Sequence, residues 1–202
     1  MNRWQFLLLA VAAWTALGIV GTVLSVLRGE RRKAAQGIKW LLATWVIYLT
    51  VVIGVSIVQP RRVVAIGQEQ CFGEMCFTVV GVDELPQFLG KNQPGNGSRL
   101  VRVSVRVRNV AAGKAQSESL MQAYLVDSQG RRWDESRGVS GNRLTGQVEA
   151  SGVMLSQPMF HVAGDATGLE LIFTHGRWQP GALVIGDSDS PWHRKTVVPL
   201  GR

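Results

Sequence analysis

The chain has 202 residues, a formal net charge of +8 and 46% hydrophobic residues. Residues 1–58 carry +5 of that charge and residues 59–202 only +3, without a long run of like charges, so the sequence predicts no nucleic-acid binding. It contains no Gly-x-Ser-x-Gly elbow, no phosphate-binding glycine loop and no His-Glu-x-x-His pair, which argues against the corresponding enzyme classes and predicts no catalytic residue, metal site or cofactor.

Two long apolar segments, Trp4–Leu27 and Ile38–Val58, begin the chain. As helices they are roughly 31 to 36 Å long, enough to cross a hydrocarbon core of about 30 Å. Neither contains an acidic residue or a proline, and Lys39 lies one residue from the start of the second segment. We therefore expect residues 1–58 to form a transmembrane helical hairpin with the lipid bilayer as partner.

A cleaved signal peptide is the alternative for the first segment, because Arg3 precedes its apolar stretch. Signal cores are usually about 7 to 15 residues long and end at a small-x-small site. This segment is longer and ends at Ser25-Val-Leu-Arg28. We expect it to remain in the mature protein.

Basic residues around the two segments predict the orientation. Five lie in or beside the linker: Arg28, Arg31, Arg32, Lys33 and Lys39. Three lie on the other side: Arg3, Arg61 and Arg62. The positive-inside rule then places residues 28–37 in the cytoplasm and both termini outside, in an inner or plasma membrane.

Small residues on the first segment, Gly18, Gly21 and Ser25, permit close helix approach. Packing within the chain is the default expectation, and self-association through this face is the alternative.

After Val58 the sequence passes through a juxtamembrane linker, residues 59–65, into short alternating segments at residues 66–202. In Leu100–Val110, valines alternate with arginines and serine, as in a strand with one buried face. Asp127-Ser-Gln-Gly130 predicts a hairpin turn. The other predicted strands are Val63–Ile66, Cys76–Val82, Met121–Asp127, Val153–Val162, Leu169–Thr174 and Leu183–Ile185. The fold class is thus two transmembrane helices followed by an all-β antiparallel sandwich.

Two segments lack strand patterning, Pro86–Ser98 and Asp134–Asn142, and are predicted to be loops. Loops often carry binding function on β-sandwiches, although a plain connector is the commoner case.

Three motifs occur in order: Val105-Arg-Val-Arg-Asn109, Leu125-Val-Asp-Ser-Gln-Gly-Arg-Arg-Trp133 and Pro158-Met-Phe-His-Val162. This pattern resembles the telokin-like immunoglobulin-type family of bacterial secreted and membrane-anchored proteins, over about residues 66–175. Ala163 stands where many members have proline. The resemblance implies an immunoglobulin-like, extracytoplasmic domain of unknown function, and no catalytic residues.

Cys71 and Cys76 flank a glycine-containing turn in the part of the chain predicted to be exported, where a structural disulfide is favoured. The alternatives are a redox-active pair or, with Met75, a Cu(I) site, because thiolate and thioether sulfur both favour that ion.

Three arginines on one strand, Arg102, Arg106 and Arg108, could contact anionic lipid headgroups or a cell-wall polymer, although an ordinary solvated strand face is the commoner case. The sequence as a whole predicts a non-enzymatic binding or envelope-associated module. Its partner is another envelope protein or an anionic polymer, with a redox or Cu(I)-handling module as the alternative.

Overall fold

The computed structural model describes residues 3–85, 87–88, 91–92, 97–136, 141–175, 183–185, 190 and 193–201. Contacts divide the chain into two units. The helical unit comprises Met1–Pro60 and Arg177–Arg194, and the sandwich unit comprises Arg61–Gly176 and Lys195–Arg202. Each unit has its own buried cluster of hydrophobic residues.

Two helices form most of the helical unit: α1 (Arg3–Leu27) and α2 (Arg31–Val58). Both are long and apolar enough, by length and composition, to cross a membrane. The predicted first helix is confirmed. Helix α2 begins seven residues before the predicted start at Ile38, because the arginines, lysine, alanines and glutamine of that stretch all favour helix.

The connection between the helices is a tight turn at Arg28-Gly29-Glu30. Gly29 has φ +74°, and its N–H donates to the carbonyl of Val26 at 2.9 Å. The Glu30 N–H donates to the carbonyl of Ser25, also at 2.9 Å. These two bonds form a Schellman cap, which satisfies carbonyls that the end of a helix leaves unpaired. The linker predicted at residues 28–37 is therefore a three-residue turn followed by two helical turns.

The helices pack through small and hydrogen-bonding residues. A Cβ atom on Gly18 would lie 2.5 Å from Leu41 Cδ2, so a larger residue there would require the Leu41 side chain to move. The Trp45 Nε1–H donates to Thr15 Oγ1 at 3.0 Å, which joins α2 to α1 by a side-chain hydrogen bond.

A segment near the end of the chain packs on α2. The Tyr48 hydroxyl donates to the carbonyl oxygen of Leu183 at 2.7 Å. Ile185 is 3% exposed and packs with Tyr48 and Val52. The prediction of a strand at Leu183–Ile185 is wrong: these residues form an irregular turn, and their apolar side chains pack on a helix instead of on a sheet.

The sandwich unit contains eleven described strands. They are β1 (Glu69–Phe72), β2 (Met75–Leu85), β3 (Gln87–Phe88), β4 (Lys91–Asn92), β5 (Ser98–Asn109), β6 (Gln122–Val126), β7 (Arg132–Asp134), β8 (Val153–Ser156), β9 (Met159–Ala163), β10 (Glu170–Thr174) and β11 (Val198–Pro199). The first main sheet has the order β1-β2-β5-β8, with β9 also paired to β5, and the second has the order β11-β10-β6-β7. All pairings within these sheets are antiparallel, as predicted.

Strand β5 is the centre of the first sheet. Its valines, Val101, Val103, Val105 and Val107, are at most 1% exposed, which confirms the predicted alternation. The predicted strand Val153–Val162 is two strands, β8 beside one half of β5 and β9 beside the other. They separate at Pro158, which has no N–H to donate to a ladder.

The hydrophobic core lies between the two main sheets. Phe77 of β2 and Phe160 of β9 come from the first sheet, and Leu125 and Leu171 from the second, and all four are completely buried. Phe77 also contacts Phe173 of β10, with ring centroids 5.5 Å apart. The structure thus confirms a sandwich of two antiparallel sheets.

Three local predictions need correction or qualification. Val63–Ile66 contributes a single parallel bridge, Val63 to Val197, and is not a strand. The predicted loop Pro86–Ser98 contains the short pair β3–β4 and the start of β5. Residues 86, 89–90, 93–96 and 137–140 of the two predicted loops lie outside the described residues.

Candidate functional site

The disulfide closes the hairpin of β1 and β2. Cys71 and Cys76 are direct partners across this antiparallel pair and are bonded to each other. Gly73, with φ +62°, lies in the two-residue turn between the strands, where a left-handed backbone is required. The disulfide uses both cysteines of the chain, as the sequence predicted.

The sulfur and carboxylate atoms near this hairpin do not offer a soft-metal site in the disulfide form. Glu69 lies with Cys71 and Cys76 in a group whose potential ligand atoms are within 4.8 Å of one another. Glu69, however, accepts hydrogen bonds from Arg108 Nε at 2.9 Å and Nη2 at 2.7 Å. Met75 is 1% exposed within the sandwich core, on the face of β2 opposite the disulfide, because neighbouring residues of a strand point to opposite faces.

Arginines along β5 lie next to carboxylates on the neighbouring strands. Arg102 donates to Asp83 at 2.9 Å, and Arg108 forms the two bonds to Glu69. The Arg106 side chain is exposed and has no hydrogen-bond or ion-pair partner among the residues that the structure describes. The predicted basic face therefore contains two compensated cations and one uncompensated cation.

Exposed apolar residues border this arginine row on β8. Leu155 is the register partner of Arg106, and Val153 is the partner of Arg108. Their side chains are 49% and 59% exposed. Because β8 ends the sheet on this side of β5, its outward face combines apolar surface with one uncompensated arginine.

A groove of about 510 Å³ lies beside β6 and β7. Its lining includes Arg132 and Asp134 of β7, and Arg143 and Leu144 from the segment that begins at residue 141. The groove therefore includes Asp134, which ends β7 and begins the predicted loop Asp134–Asn142, a segment for which a plain connector was the commoner expectation and a binding loop the alternative.

Polar contacts hold part of this groove in place. Arg132 donates to Asp134 Oδ1 from Nε at 2.8 Å and from Nη2 at 2.5 Å, and its guanidinium lies 3.9 Å from the Tyr124 ring centroid. The backbone N–H of Ser136 donates to the carbonyl of Met159 at 2.8 Å. The Arg143 side chain is exposed and, within the described ranges, makes no hydrogen bond or ion pair. The groove thus combines a fixed ion pair with an available cation.

The residues of the resemblance motifs have structural roles. Asn109 is fully buried, and its side chain donates to the carbonyls of Lys114 and Val148 and accepts from the Ala111 N–H. Asp127 accepts from the backbone N–H groups of Gln129 and Arg131. These bonds fix two connections of the sandwich and leave neither side chain available for a ligand.

The charge on Asp127 is stabilised by its neighbours. Burial by itself raises the pKa of a carboxyl group, but here hydrogen bonds from the Arg131 side chain and from two backbone N–H groups hold the pKa of Asp127 below its usual value. Arg131 also donates to Asp165 at 3.0 Å. Gly130, with φ +78°, completes the predicted turn between β6 and β7.

The small residues of α1 do not share one environment. Gly18 lies against Leu41 within the chain, whereas a Cβ on Gly21 would meet no described atom within 4 Å. Ser25 is half-buried, and its hydroxyl donates to the carbonyl of Gly21 at 2.9 Å. The predicted small-residue face therefore serves packing within the chain at Gly18 and is open at Gly21.

Comparison with known proteins finds no matching family and several solved structures of low similarity. No protein-family model and no curated protein matches the chain. A β-sandwich protein from Clostridium difficile is similar with a TM-score of 0.45 and 11% identity, over 71% of this chain and 96% of that one. A hypothetical protein from Bacillus anthracis gives a TM-score of 0.44 and 13% identity, over 54% and 88%. A secreted protein from Mycobacterium tuberculosis gives 0.42 and 10%, over 58% and 92%.

Sequence reasoning missed the groove residues Arg132 and Arg143. The alternation in Arg132-Trp-Asp134 was the available signal for the first, because it places Arg132 and Asp134 on the same face of β7. For Arg143 there was no such signal, because the surrounding residues have no strand or helix period.

Proposed function

We propose that this chain is a two-pass membrane protein that holds a telokin-like β-sandwich on the extracytoplasmic side as a non-enzymatic binding module. The observation that carries the proposal is the exposure of large apolar side chains on the helix pair. Leu17 is 71% exposed, Ile47 66% and Val46 63%. Water disfavours such surface by about 25 cal/mol per Å², whereas lipid accepts it.

The distribution of basic residues supports the orientation. The Arg28-Gly29-Glu30 turn and the first turns of α2 carry the larger group of cations, which the positive-inside rule assigns to the cytoplasm. The sandwich is then exported, and an oxidising compartment suits the Cys71–Cys76 disulfide.

The binding surface in this proposal is the groove beside β6 and β7. Arg143 supplies an uncompensated cation there, and the Arg132–Asp134 pair supplies fixed polar groups. An envelope protein or polymer that carries an anionic group would find both charge attraction and hydrogen-bonding partners. No step of bond making or breaking is assigned to these residues.

Protease digestion of intact spheroplasts tests the orientation. We expect the sandwich to be digested without lysis and the chain to remain in the membrane after alkaline carbonate extraction. Digestion only after lysis would reverse the proposed orientation, and extraction by carbonate would refute membrane insertion.

Thiol titration of the same spheroplasts addresses the redox and Cu(I) alternative. We expect no reactive thiol before reduction and two afterwards, without uptake of Cu(I) by the untreated chain. A titratable pair that binds Cu(I) in the untreated cells would favour the metal-handling alternative over the binding module.

A photo-crosslinking residue in place of Gln122, which is exposed and lines the groove, tests the binding surface. Adducts are expected at this position and not at Val153, which is exposed on the other main sheet. Equal adducts at both positions would rule out the groove as the specific contact.

A further inference from the structure

Helix α2 is longer than a bilayer core requires. Its 28 residues span roughly 42 Å, against about 30 Å of hydrocarbon. If Val58 marks one boundary, about twenty residues reach the other boundary near Ile38 and Lys39. The first two turns of α2 then lie in the headgroup layer and the adjoining water.

A groove of about 650 Å³ lies along one face of α2 at this boundary. It is lined by Arg32, Ala35, Gln36, Lys39, Trp40 and Ala43. These positions recur at helical spacing, so they form a single stripe along the helix. The two alanines leave space between the longer side chains.

This stripe is distinct from the face of α2 that packs on α1. Gly37 lies against α1, since a Cβ there would stand 2.7 Å from Thr22 Oγ1, and Leu41 is in contact with Gly18. Arg32, Gln36, Lys39 and Trp40 are all exposed. The groove is therefore open on a surface that the helix pair leaves uncovered.

The charges of the groove are uncompensated. Among the described residues, neither Arg32 nor Lys39 makes an ion pair. The acidic residue of the preceding turn, Glu30, accepts from Lys33 at 3.1 Å. A phosphate between Arg32 and Lys39 would gain both cations, whereas the ammonium group of a zwitterionic lipid would find no carboxylate in the lining.

The remaining lining residues suit the other parts of a phospholipid. The Gln36 amide can donate to phosphate or glycerol oxygens. Trp40, at 65% exposure, has the amphipathic ring that favours the boundary between headgroups and acyl chains. Ala43 lies one turn farther along α2 from Lys39 and leaves room for the start of an acyl chain.

We propose that this groove binds one anionic phospholipid, with its phosphate between Arg32 and Lys39 and its acyl chains beside Trp40 and Ala43. The inference rests on the proposed membrane insertion of the helices. It goes beyond membrane insertion because it assigns one bound lipid to a defined groove on α2.

Full-length protein reconstituted into vesicles of phosphatidylglycerol and phosphatidylcholine provides the test. Flotation first measures insertion, and native mass spectrometry after detergent extraction then measures which lipid remains bound. The groove variant combines Arg32→Gln with Lys39→Gln. The control variant combines Arg31→Gln with Lys33→Gln, which removes equal charge from the same helix outside the groove.

We expect wild type and the control variant to retain phosphatidylglycerol in preference to phosphatidylcholine. The groove variant should lose this preference roughly 30-fold, since one cation near an anionic lipid changes binding about fivefold. Equal losses in both double variants, or no preference in floating wild type, would overturn the lipid site and leave membrane insertion standing. Failure of wild type to float would refute insertion, and the lipid site with it.

Discussion

The helical unit and the sandwich unit use their apolar side chains in opposite ways. In the helices, Leu17, Ile47 and many similar residues point outward and stay exposed. In the sandwich, Phe77 and Val103 are completely buried between two sheets. Under the proposed membrane insertion, lipid surrounds the exposed side chains of the first unit, whereas the protein interior surrounds the buried side chains of the second.

The two units also differ in how they treat positive charge. On the sandwich, Arg102 and Arg108 have carboxylate partners on neighbouring strands. On α2, the described chain gives Arg32 and Lys39 no such partner. A row of basic residues in a sequence therefore indicates a binding surface only when the fold leaves it uncompensated.

The substitution expected to change stability most creates a cavity in the sandwich core, and it tests this contrast between the units. Phe77→Ala removes a fully buried ring that contacts Phe72 and Phe173, and we expect it to lower the free energy of unfolding by about 3 to 5 kcal/mol. Denaturant unfolding of the full chain in detergent, followed by near-ultraviolet circular dichroism, measures the change.

Two controls accompany this substitution. Leu155→Ala, on the exposed face of β8, and Leu17→Ala, on the exposed face of α1, should each change the unfolding free energy of the sandwich by less than about 0.5 kcal/mol. A loss at Leu17 comparable to that at Phe77 would contradict the distinction between the units.

The disulfide should have the next largest effect. Replacing Cys71 and Cys76 together by alanine is expected to destabilise the sandwich by about 2 kcal/mol, because the crosslink restricts a short loop of the unfolded chain. Reductant should lower the unfolding free energy of wild type by a similar amount and leave that of the double variant unchanged. A reductant shift in the double variant would show that the disulfide is not its cause.

Particular residues show how far the sequence alone could lead. The valines of β5 and the Asp127–Gly130 turn were predictable because local periodicity and turn chemistry determine them. The short bridge at Val63 and the packing of Ile185 on α2 were not, since both depend on partners more than a hundred residues away. Non-local pairing also hid the site features: the carboxylate partners of Arg102 and Arg108 lie 19 and 39 residues away on neighbouring strands, which nothing local to the arginines identifies.

The Asp127 turn provides a smaller, pH-dependent effect. Its lowered pKa means that the ionised carboxylate stabilises the folded state. This contribution is fully present above the ordinary aspartate pKa of about 3.9 and is lost as pH falls from there through the folded-state value.

Asp127→Asn should therefore destabilise the sandwich at neutral pH and weaken the decline in stability below about pH 4. The control is Asp165→Asn, which removes the exposed second partner of Arg131. The unfolding free energy of both variants is measured across pH. An unchanged acid profile in Asp127→Asn would exclude this carboxylate as a source of the decline.

The smallest expected effects compare two arginines on one strand. Arg108→Gln breaks a partly exposed ion pair with Glu69 and should cost about 0.2 to 1 kcal/mol of stability, whereas Arg106→Gln, at a side chain without a described partner, should cost almost nothing. If the strand also contacts an anionic polymer, the order reverses for binding. The charge of Arg106 is available to the polymer, while the polymer must compete with Glu69 for Arg108. Denaturation midpoints and polymer binding at several salt concentrations, measured on both single variants, separate the two roles.

Two outcomes would contradict this comparison. Equal effects of both variants on polymer binding would mean that the ion pair with Glu69 does not compensate Arg108. Unchanged polymer binding in both variants would exclude the arginine row as a contact surface.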